Sequence, residues 1–302
     1  MSSTVLRLNM PQWQGGDEPA YRFGAELLRW LAPPHHGPEE TIAVAGADGG
    51  AAPIDRGIKW RDALLAQARA AGGAIGRHQP DRIVTLGGDC LVDLAPMAWL
   101  RRRYGDGLGV LWLDAHPDVM SAAEFSHAHA HVLAMLLGRG DADFVAEVPE
   151  KLDPRRVMIA GMQGWNDAEG PILAQLGLRH IPPAALAGTS GPVLDWIRAE
   201  GITHLAVHLD LDVLDPAHFS PLLFNRPDAS ADAFQGVEQG RMRLEQVMRL
   251  LQDVGEAADM VGLAITEHLP WDMLRLKNGL AGLPIMRSQA GARARARGMN
   301  GA

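Results

Sequence analysis

The sequence predicts an α/β fold with one doubly wound, mainly parallel sheet flanked by helices. Two observations predict it. Short apolar runs typical of strands alternate with longer segments of helical pattern, and several of the apolar runs end in polar residues. We find no internal repeat, and no linker rich in Pro and Gly divides the chain. We therefore expect residues 1–287 to form a single domain and residues 288–302, rich in Ala, Gly and Arg, to form a flexible basic tail.

The predicted strands and helices alternate along the chain. Predicted strands occupy residues 82–86, 109–113, 156–160, 204–208 and 260–265. Predicted helices occupy residues 60–77, 91–104, 128–137, 191–200 and 244–254. Such alternation is expected for parallel strands joined by crossover helices. Residues 222–240 have neither pattern, and we expect an irregular surface segment that borders a site.

Composition limits the classes of function. The net charge of −8 gives no reason to expect binding to nucleic acid or to an anionic membrane. No apolar stretch reaches the roughly 18–20 residues that span a bilayer, and the N-terminal residues do not resemble a signal peptide. Cys90 is the only cysteine, so no internal disulfide can form. We expect a cytoplasmic protein that acts on a small molecule.

Four of the five predicted strands lead into polar segments. These begin at Gly87, Asp114, His208 and Thr266, and they read Gly-Gly-Asp-Cys, Asp-Ala-His-Pro-Asp, His-Leu-Asp-Leu-Asp and Thr-Glu-His. In open parallel sheets, ligands bind beyond the carboxyl ends of the strands. The pattern therefore predicts that acids, imidazoles and a thiol meet at one edge of the sheet.

Two of these segments predict a metal site. Alternate residues of an extended chain point to the same side, so Asp114, His116 and Asp118 converge, and Asp210 and Asp212 repeat the pattern. Crowded carboxylates repel one another unless a divalent cation neutralises them. Oxygen and imidazole ligands suit Mn, Fe, Co, Ni or Zn, and four carboxylates favour two bridged ions over one. The alternative, that each aspartate caps a helix or a turn, suits an isolated residue better than this repeat.

From about Arg82 to Pro270 the sequence resembles the ureohydrolase superfamily, which includes arginase, agmatinase and formimidoylglutamase. The segment from Asp114 to Asp118 is similar to the family's Asp-Ala-His-x-Asp, and the segment from Asp210 to Pro216 is similar to its Asp-x-Asp-x-x-Asp-Pro. The resemblance implies an arginase-like three-layer α/β/α fold, two manganese ions and trimers or hexamers of the chain. It implies that Asp114 and Asp210 bridge the two ions. His116 and Asp212 would complete one ion, and Asp118 would bind the other.

The resemblance also implies a reaction. A metal-bridging hydroxide attacks the carbon of a guanidino or amidino group, and the products are urea, or a substituted urea, and an amine. Glu267 matches the glutamate that holds the substrate cation, and carboxylates pair well with planar guanidinium groups. Asp118 transfers the proton to the leaving amine. His129 matches the histidine that shuttles protons, although His127 and His131 lie within two residues of it.

Position 90 departs from the family pattern, which reads Gly-Gly-Asp-His with the histidine as a metal ligand. Cys90 could ligate as a thiolate, leave one ion weakly bound, or pack as a small apolar residue. We expect ligation or close approach to the metal. Because sulfur is a softer donor than imidazole, Ni, Fe, Co or Zn becomes an alternative to Mn.

The substrate and the class of enzyme stay open at this point. Val119 and Met120 stand where arginases carry a polar residue for the substrate's carboxylate, and in the segment 163–167 only Asp167 is charged. We therefore expect a guanidine or amidine other than plain L-arginine, with Met120 and Trp165 favouring a less polar tail. One alternative is a deacetylase-like amidohydrolase with a single zinc held by two Asp and one His. Another is a degenerate, non-catalytic subunit.

Overall fold

A central eight-stranded sheet organises the protein. The structure is a computed structural model and describes residues 3–46, 50–230 and 232–283. The strands are β1 (Val5–Met10), β2 (Glu39–Thr41), β3 (Ile54–Asp55), β4 (Ile58–Lys59), β5 (Arg82–Gly87), β6 (Leu108–Leu113), β7 (Val157–Ala160), β8 (Arg179–Ile181), β9 (His204–Asp210) and β10 (Asp259–Thr266). The main sheet has the order β2-β1-β5-β10-β9-β6-β7-β8 with parallel pairing throughout, and β3 and β4 form a separate antiparallel pair.

Helices cover both faces of the main sheet. They are α1 (Ala20–Leu31), α2 (Arg61–His78), α3 (Leu94–Tyr104), α4 (Val132–Leu136), α5 (Ala142–Ala146), α6 (Glu169–Leu176), α7 (Pro183–Leu186), α8 (Gly191–Ala199), α9 (Leu244–Ala257) and α10 (Trp271–Gly282). Strand β6 shows the division: Val110 and Trp112 pack into a core with α2, α3 and α4, whereas Leu111 and Leu113 pack into a second core with α8 and α9. Burial on both faces explains why β6 is a continuous apolar run, and the layers confirm the predicted three-layer α/β/α fold.

All five predicted strands are present, each within two residues of its predicted ends. Two predicted helices begin differently. Residues Cys90–Asp93 form a 3₁₀ turn before α3, because the Asp89 carboxylate accepts a hydrogen bond from the Leu91 amide at 3.1 Å. Residues Ala128–His131 form a second 3₁₀ turn before α4. The sequence reading missed β1, which lies between β2 and β5, and the short edge strands β2 and β8.

The strand order brings the polar segments together. Strands β5, β10, β9 and β6 are consecutive in the sheet, and each leads into one of the four segments singled out in the sequence. Within the described residues, no helix is both long and apolar enough to cross a membrane. The predicted basic tail, residues 288–302, lies outside the described residues.

Candidate metal centre

One group of candidate metal ligands lies across the ends of β5, β6 and β9. Its ligand atoms all lie within 4.8 Å of one another, and its members are Cys90, Asp114, His208 and Asp210. Cys90 Sγ is 2.9 Å from Asp210 Oδ2, and His208 Nε2 is 3.7 Å from Asp114 Oδ2. All four side chains are buried. Cys90 therefore lies among the carboxylates and not in a purely apolar environment, and its ligation of a metal stays a prediction.

A second group shares Asp114 and adds His116 and Asp212. His116 Nδ1 is 3.1 Å from Asp212 Oδ2 and 3.6 Å from Asp114 Oδ1. The other ring nitrogen, Nε2, lies 3.0 Å from the backbone carbonyl of Glu238. A carbonyl oxygen can only accept, so Nε2 carries a proton, and Nδ1 is the ring nitrogen that faces the carboxylates. Glu238 belongs to the irregular segment 222–240, which thus borders the site as predicted.

Burial and like charge act together on the carboxylates. Desolvation raises the pKa of Asp118, Asp210 and Asp212, and the charge of neighbouring aspartates raises each further. Burial also acts to raise the pKa of Asp114, but its electrostatic interactions with His116 and His208 outweigh burial and lower that pKa. The edge of the sheet thus concentrates negative charge that solvent does not reach.

Several polar atoms in this cluster have no hydrogen-bond partner among the described residues. They are Asp93 Oδ1, Asp118 Oδ2, His208 Nε2 and Asp212 Oδ1. A buried polar atom left without a partner costs about 1–3 kcal/mol, so such atoms are uncommon unless a ligand or ion satisfies them. Their concentration at one edge of the sheet fits a site built to hold cations.

Two predicted catalytic residues adopt strained backbone conformations. Asp118 has φ = 51° and Glu267 has φ = 61°, in the left-handed region that non-glycine residues rarely adopt. The Glu267 amide donates to the Gly88 carbonyl at 2.7 Å, which fixes the turn after β10. This turn places Glu267 Oε1 3.6 Å from Cys90 Sγ. Backbone strain of this kind is typical of residues held in place for function.

The three neighbouring histidines differ in their contacts. His129 Nδ1 lies 3.3 Å from Glu267 Oε1, and the ring is partly exposed. His131 Nε2 donates to the Phe125 carbonyl at 2.8 Å, and His127 packs on the Phe125 ring at 4.6 Å between ring centroids. Among these three, His129 makes the contact with the predicted site.

The residues expected near the substrate's tail take different positions. Val119 is 2% exposed and packs in the hydrophobic core, and Met120 is partly buried. Trp165 is 47% exposed and contacts the His180 ring edge-to-face at 5.1 Å. Asp167 is exposed. Val119 is therefore almost completely buried, whereas Met120 keeps part of its surface exposed.

Sequence reasoning missed His208, Asp93 and Trp112. His208 is fully buried, its Nδ1 lies 2.6 Å from Asp93 Oδ2, and its ring stacks on Trp112 at 3.7 Å between centroids. The alternation that linked Asp210 to Asp212 extends backwards to His208, so the sequence contained a signal for it. Asp93 carried no such signal, because it lies in a helix-like segment and contacts His208 only through the fold.

The fold and the site define an α/β protein that gathers candidate metal ligands at the carboxyl edge of a parallel sheet. The family model described as Arginase family matches residues 19–221. The chain belongs to the arginase family, and thus to the ureohydrolase superfamily that its motifs resemble.

Individual relatives agree with this assignment. An arginase of Eremothecium gossypii is 25% identical over 197 residues, covering 62% of this chain and 46% of the relative. An arginase of Bacillus subtilis is 30% identical over 142 residues, covering 44% and 47% respectively. Each match thus spans about half the length of the relative. The crystal structure of Entamoeba histolytica arginase in complex with L-ornithine shares the fold, with a TM-score of 0.72, 17% identity, and coverage of 89% of this chain and 91% of that one.

Proposed function

We propose that the protein is a metal-dependent hydrolase that cleaves a carbon–nitrogen bond of a small guanidino or amidino compound. The products are urea, or a substituted urea, and an amine. The observation that carries the proposal is the pair of ligand groups sharing Asp114, with the buried carboxylate of Glu267 beside them. Membership of the arginase family supports the same reaction class.

The residues present fit two divalent ions. The candidate ligands from the sequence are Cys90, Asp114, His116, Asp118, Asp210 and Asp212. Their partnerless oxygens and their mutual repulsion are what bound cations relieve. Mn²⁺ suits the carboxylates, and Ni, Fe, Co or Zn suits the thiol of Cys90 better. When bound, two such ions supply Lewis acidity and lower the pKa of a water molecule enough for attack near neutral pH.

Glu267 binds the cationic group of the substrate. Its side chain is 5% exposed, and among the described residues it forms no ion pair with lysine or arginine. Burial and the charge of Glu18 raise the pKa of Glu267, so the ionised form lacks stabilisation within the fold. A planar cation with several N–H donors would provide it and would be fixed next to the metal ligands.

Asp118 and His129 move protons. Asp118 Oδ2 is buried and has no hydrogen-bond partner within the described part of the chain, so it is available to accept a proton from the attacking water and pass it to the leaving amine. His129 contacts Glu267 on one side and is partly exposed on the other, so it lies where protons can pass between the site and solvent. Burial and the neighbouring histidines lower its pKa to about 3, so it would transfer protons as a neutral imidazole.

The substrate is a guanidine or amidine other than plain L-arginine. The partly buried Met120 and the exposed Trp165 favour a less polar tail than an α-amino acid. Turnover on a panel of guanidines with acidic, basic and apolar tails tests this. Highest kcat/KM on L-arginine itself would contradict it.

Replacement of Asp210 by alanine tests the whole proposal. We expect Asp210→Ala to lose metal and urea release together, because Asp210 belongs to the first ligand group. The matched control is Asp215→Ala in the same segment, where the carboxylate accepts from the Ala217 amide at 2.8 Å in a turn. That control should keep its metal content. Metal content below one ion per wild-type chain, with no urea release, would refute the proposal.

A second candidate function has a specific observation in its favour. The group of Asp114, His116 and Asp212 contains two aspartates and one histidine, the set expected of a deacetylase-like amidohydrolase with a single zinc. If Cys90 kept the other position empty, this group could act alone. Assays of acetylated polyamines against guanidines, with zinc counted per chain, separate the two functions.

We also propose a homo-oligomer, a trimer or a hexamer, in the cytoplasm. Family membership supports the assembly, and light scattering after size-exclusion chromatography measures it. A third possibility from the sequence, a degenerate non-catalytic subunit, predicts an inactive protein that copurifies with a second homologous chain.

A further inference from the structure

We propose that His208 is a metal ligand, oriented by Asp93 and stacked on Trp112. It shares one ion with the three other members of the first group: Cys90, Asp114 and Asp210. This inference rests on the proposed function, because it concerns one of the two metal positions. It adds a ligand that the sequence motifs do not contain.

The position of His208 is fixed on two sides. Its ring lies nearly parallel to the Trp112 indole, with an interplanar angle of 12°. Its Nδ1 is 2.6 Å from Asp93 Oδ2, and both side chains are at most 1% exposed. Because the Asp93 carboxylate accepts, Nδ1 carries a proton, and the lone pair of a neutral ring lies on Nε2.

Nε2 faces the metal ligands and has no hydrogen-bond partner among the described residues. It lies 3.7 Å from Asp114 Oδ2, a separation that two ligands with bonds of about 2.0–2.2 Å to one ion can have. This ring nitrogen is fully buried, faces the carboxylates and lacks a hydrogen-bond partner among the described residues. These features fit a metal ligand better than a structural histidine.

The His208 arrangement matches that of His116. His116 donates through one ring nitrogen to the Glu238 carbonyl, and His208 donates to the Asp93 carboxylate. In both histidines the other ring nitrogen faces the aspartates of the site. Metal-binding histidines commonly donate to such an acceptor, which fixes the ring and raises its basicity. Asp93 is therefore a positioning residue, which explains a buried carboxylate that no lysine or arginine pairs with among the described residues.

The consequence concerns position 90. The family's histidine there is replaced by Cys90, and His208 supplies an imidazole from the neighbouring part of the sheet. The first group then has one sulfur, one nitrogen and two carboxylate ligands, a softer set than the second group. Soft donors favour Zn or Co over Mn, so the first position should prefer those ions more strongly than the second.

Cobalt(II) titration tests the proposal without relying on activity. A thiolate bound to cobalt absorbs in the near ultraviolet, and a four-coordinate site absorbs strongly in the visible. Four variants are compared with the wild type: His208→Phe, Asp93→Asn, Cys90→Ser and His204→Phe. The last is the matched control, because His204 lies on the same strand and stacks on Tyr104 at 4.2 Å, at the opposite end from the site.

We expect the wild type and His204→Phe to bind two cobalt ions, one with thiolate absorption. Cys90→Ser should lose that absorption. His208→Phe should lower the cobalt affinity of the first ligand group by more than about 100-fold, because loss of an orienting partner alone lowers metal affinity about 10- to 100-fold. Asp93→Asn should fall within that smaller range. If circular dichroism shows that His208→Phe does not fold, the cobalt affinity of Asp93→Asn tests the proposal instead.

Two results would overturn the assignment. If His208→Phe and Asp93→Asn bind cobalt with wild-type affinity and spectrum, His208 is not a ligand, while urea release by the wild type would leave the proposed function intact. If the wild type binds no cobalt and releases no urea, both the assignment and the proposed function fail.

Discussion

Glu267 offers a test in which activity and stability should change in opposite directions. The side chain is 5% exposed, and His129 Nδ1 lies 3.3 Å from it. Burial lowers the pKa of His129 to about 3, so this histidine is neutral near pH 7 and does not supply a cation. Burial and the charge of Glu18 raise the pKa of Glu267, so the fold disfavours its ionised form. Such a carboxylate destabilises the fold unless a ligand supplies the missing cation.

Replacing Glu267 by glutamine keeps the shape and removes the charge. A hydrogen bond to a charged partner contributes about 1.5–3 kcal/mol, and each 1.36 kcal/mol or so is a factor of ten. We therefore expect kcat/KM to fall about 10- to 150-fold. Because Glu267 pairs with the substrate cation in the ground state, and attack by hydroxide neutralises that charge, most of the loss should appear as a higher KM.

The same substitution should leave the metal-free protein at least as stable as the wild type. Glutamine has no charge to desolvate, so the penalty for burying an ionised Glu267 disappears. Melting temperature measured after chelation reports this effect without interference from bound ions.

Urea release and thermal unfolding together decide the matter. The matched control is Glu39→Gln, which removes an ion pair with Arg29 at 2.8 Å near the edge of the sheet. That variant should keep its kcat/KM and change stability by at most about 1 kcal/mol. A Glu267→Gln protein with a lower melting temperature and unchanged kcat/KM would mean that Glu267 stabilises the fold and does not bind substrate.

Three further predictions concern stability and metal preference. Arg61→Met should destabilise the protein by about 3–5 kcal/mol in chemical denaturation, because it leaves the buried Asp141 without its arginine. The Arg61 side chain is 4% exposed and that of Asp141 is 6% exposed. The control Arg155→Met, at an exposed ion pair, should cost at most about 1 kcal/mol. Equal effects would contradict this. Cys90→His should raise affinity for Mn relative to Zn, because imidazole is a harder donor than thiolate. The larger side chain should also lower the free energy of unfolding by about 1–3 kcal/mol through overpacking. If the ratio of the Mn and Zn dissociation constants does not change, Cys90 is not a ligand. Removing metal with a chelator should lower stability by about 2.7 kcal/mol for each ion bound at 100 times its dissociation constant, and unfolding that is insensitive to metal would count against the site.

Much of the candidate site could be read from local sequence patterns. Asp114 and His116 are two residues apart after β6, and Asp210 and Asp212 are two residues apart at the end of β9, and this spacing predicted their convergence. In the structure Asp212 lies in a 3₁₀ turn that the Asp210 carboxylate caps. The apolar run of β6 predicted burial on both faces in the same way. These features depend on strand geometry, which neighbouring residues determine.

The sequence by itself therefore determined the α/β class, the strands that carry the site and most of its candidate ligands. Only the tertiary structure decided which of those residues meet. Cys90 contacts Asp210 across 120 residues, Asp93 contacts His208 across 115, and His129 contacts Glu267 across 138. These contacts depend on the order of the strands in the sheet, in which β10 lies between β5 and β9, and on the packing of helices against it. Residue spacing along the chain does not determine that order.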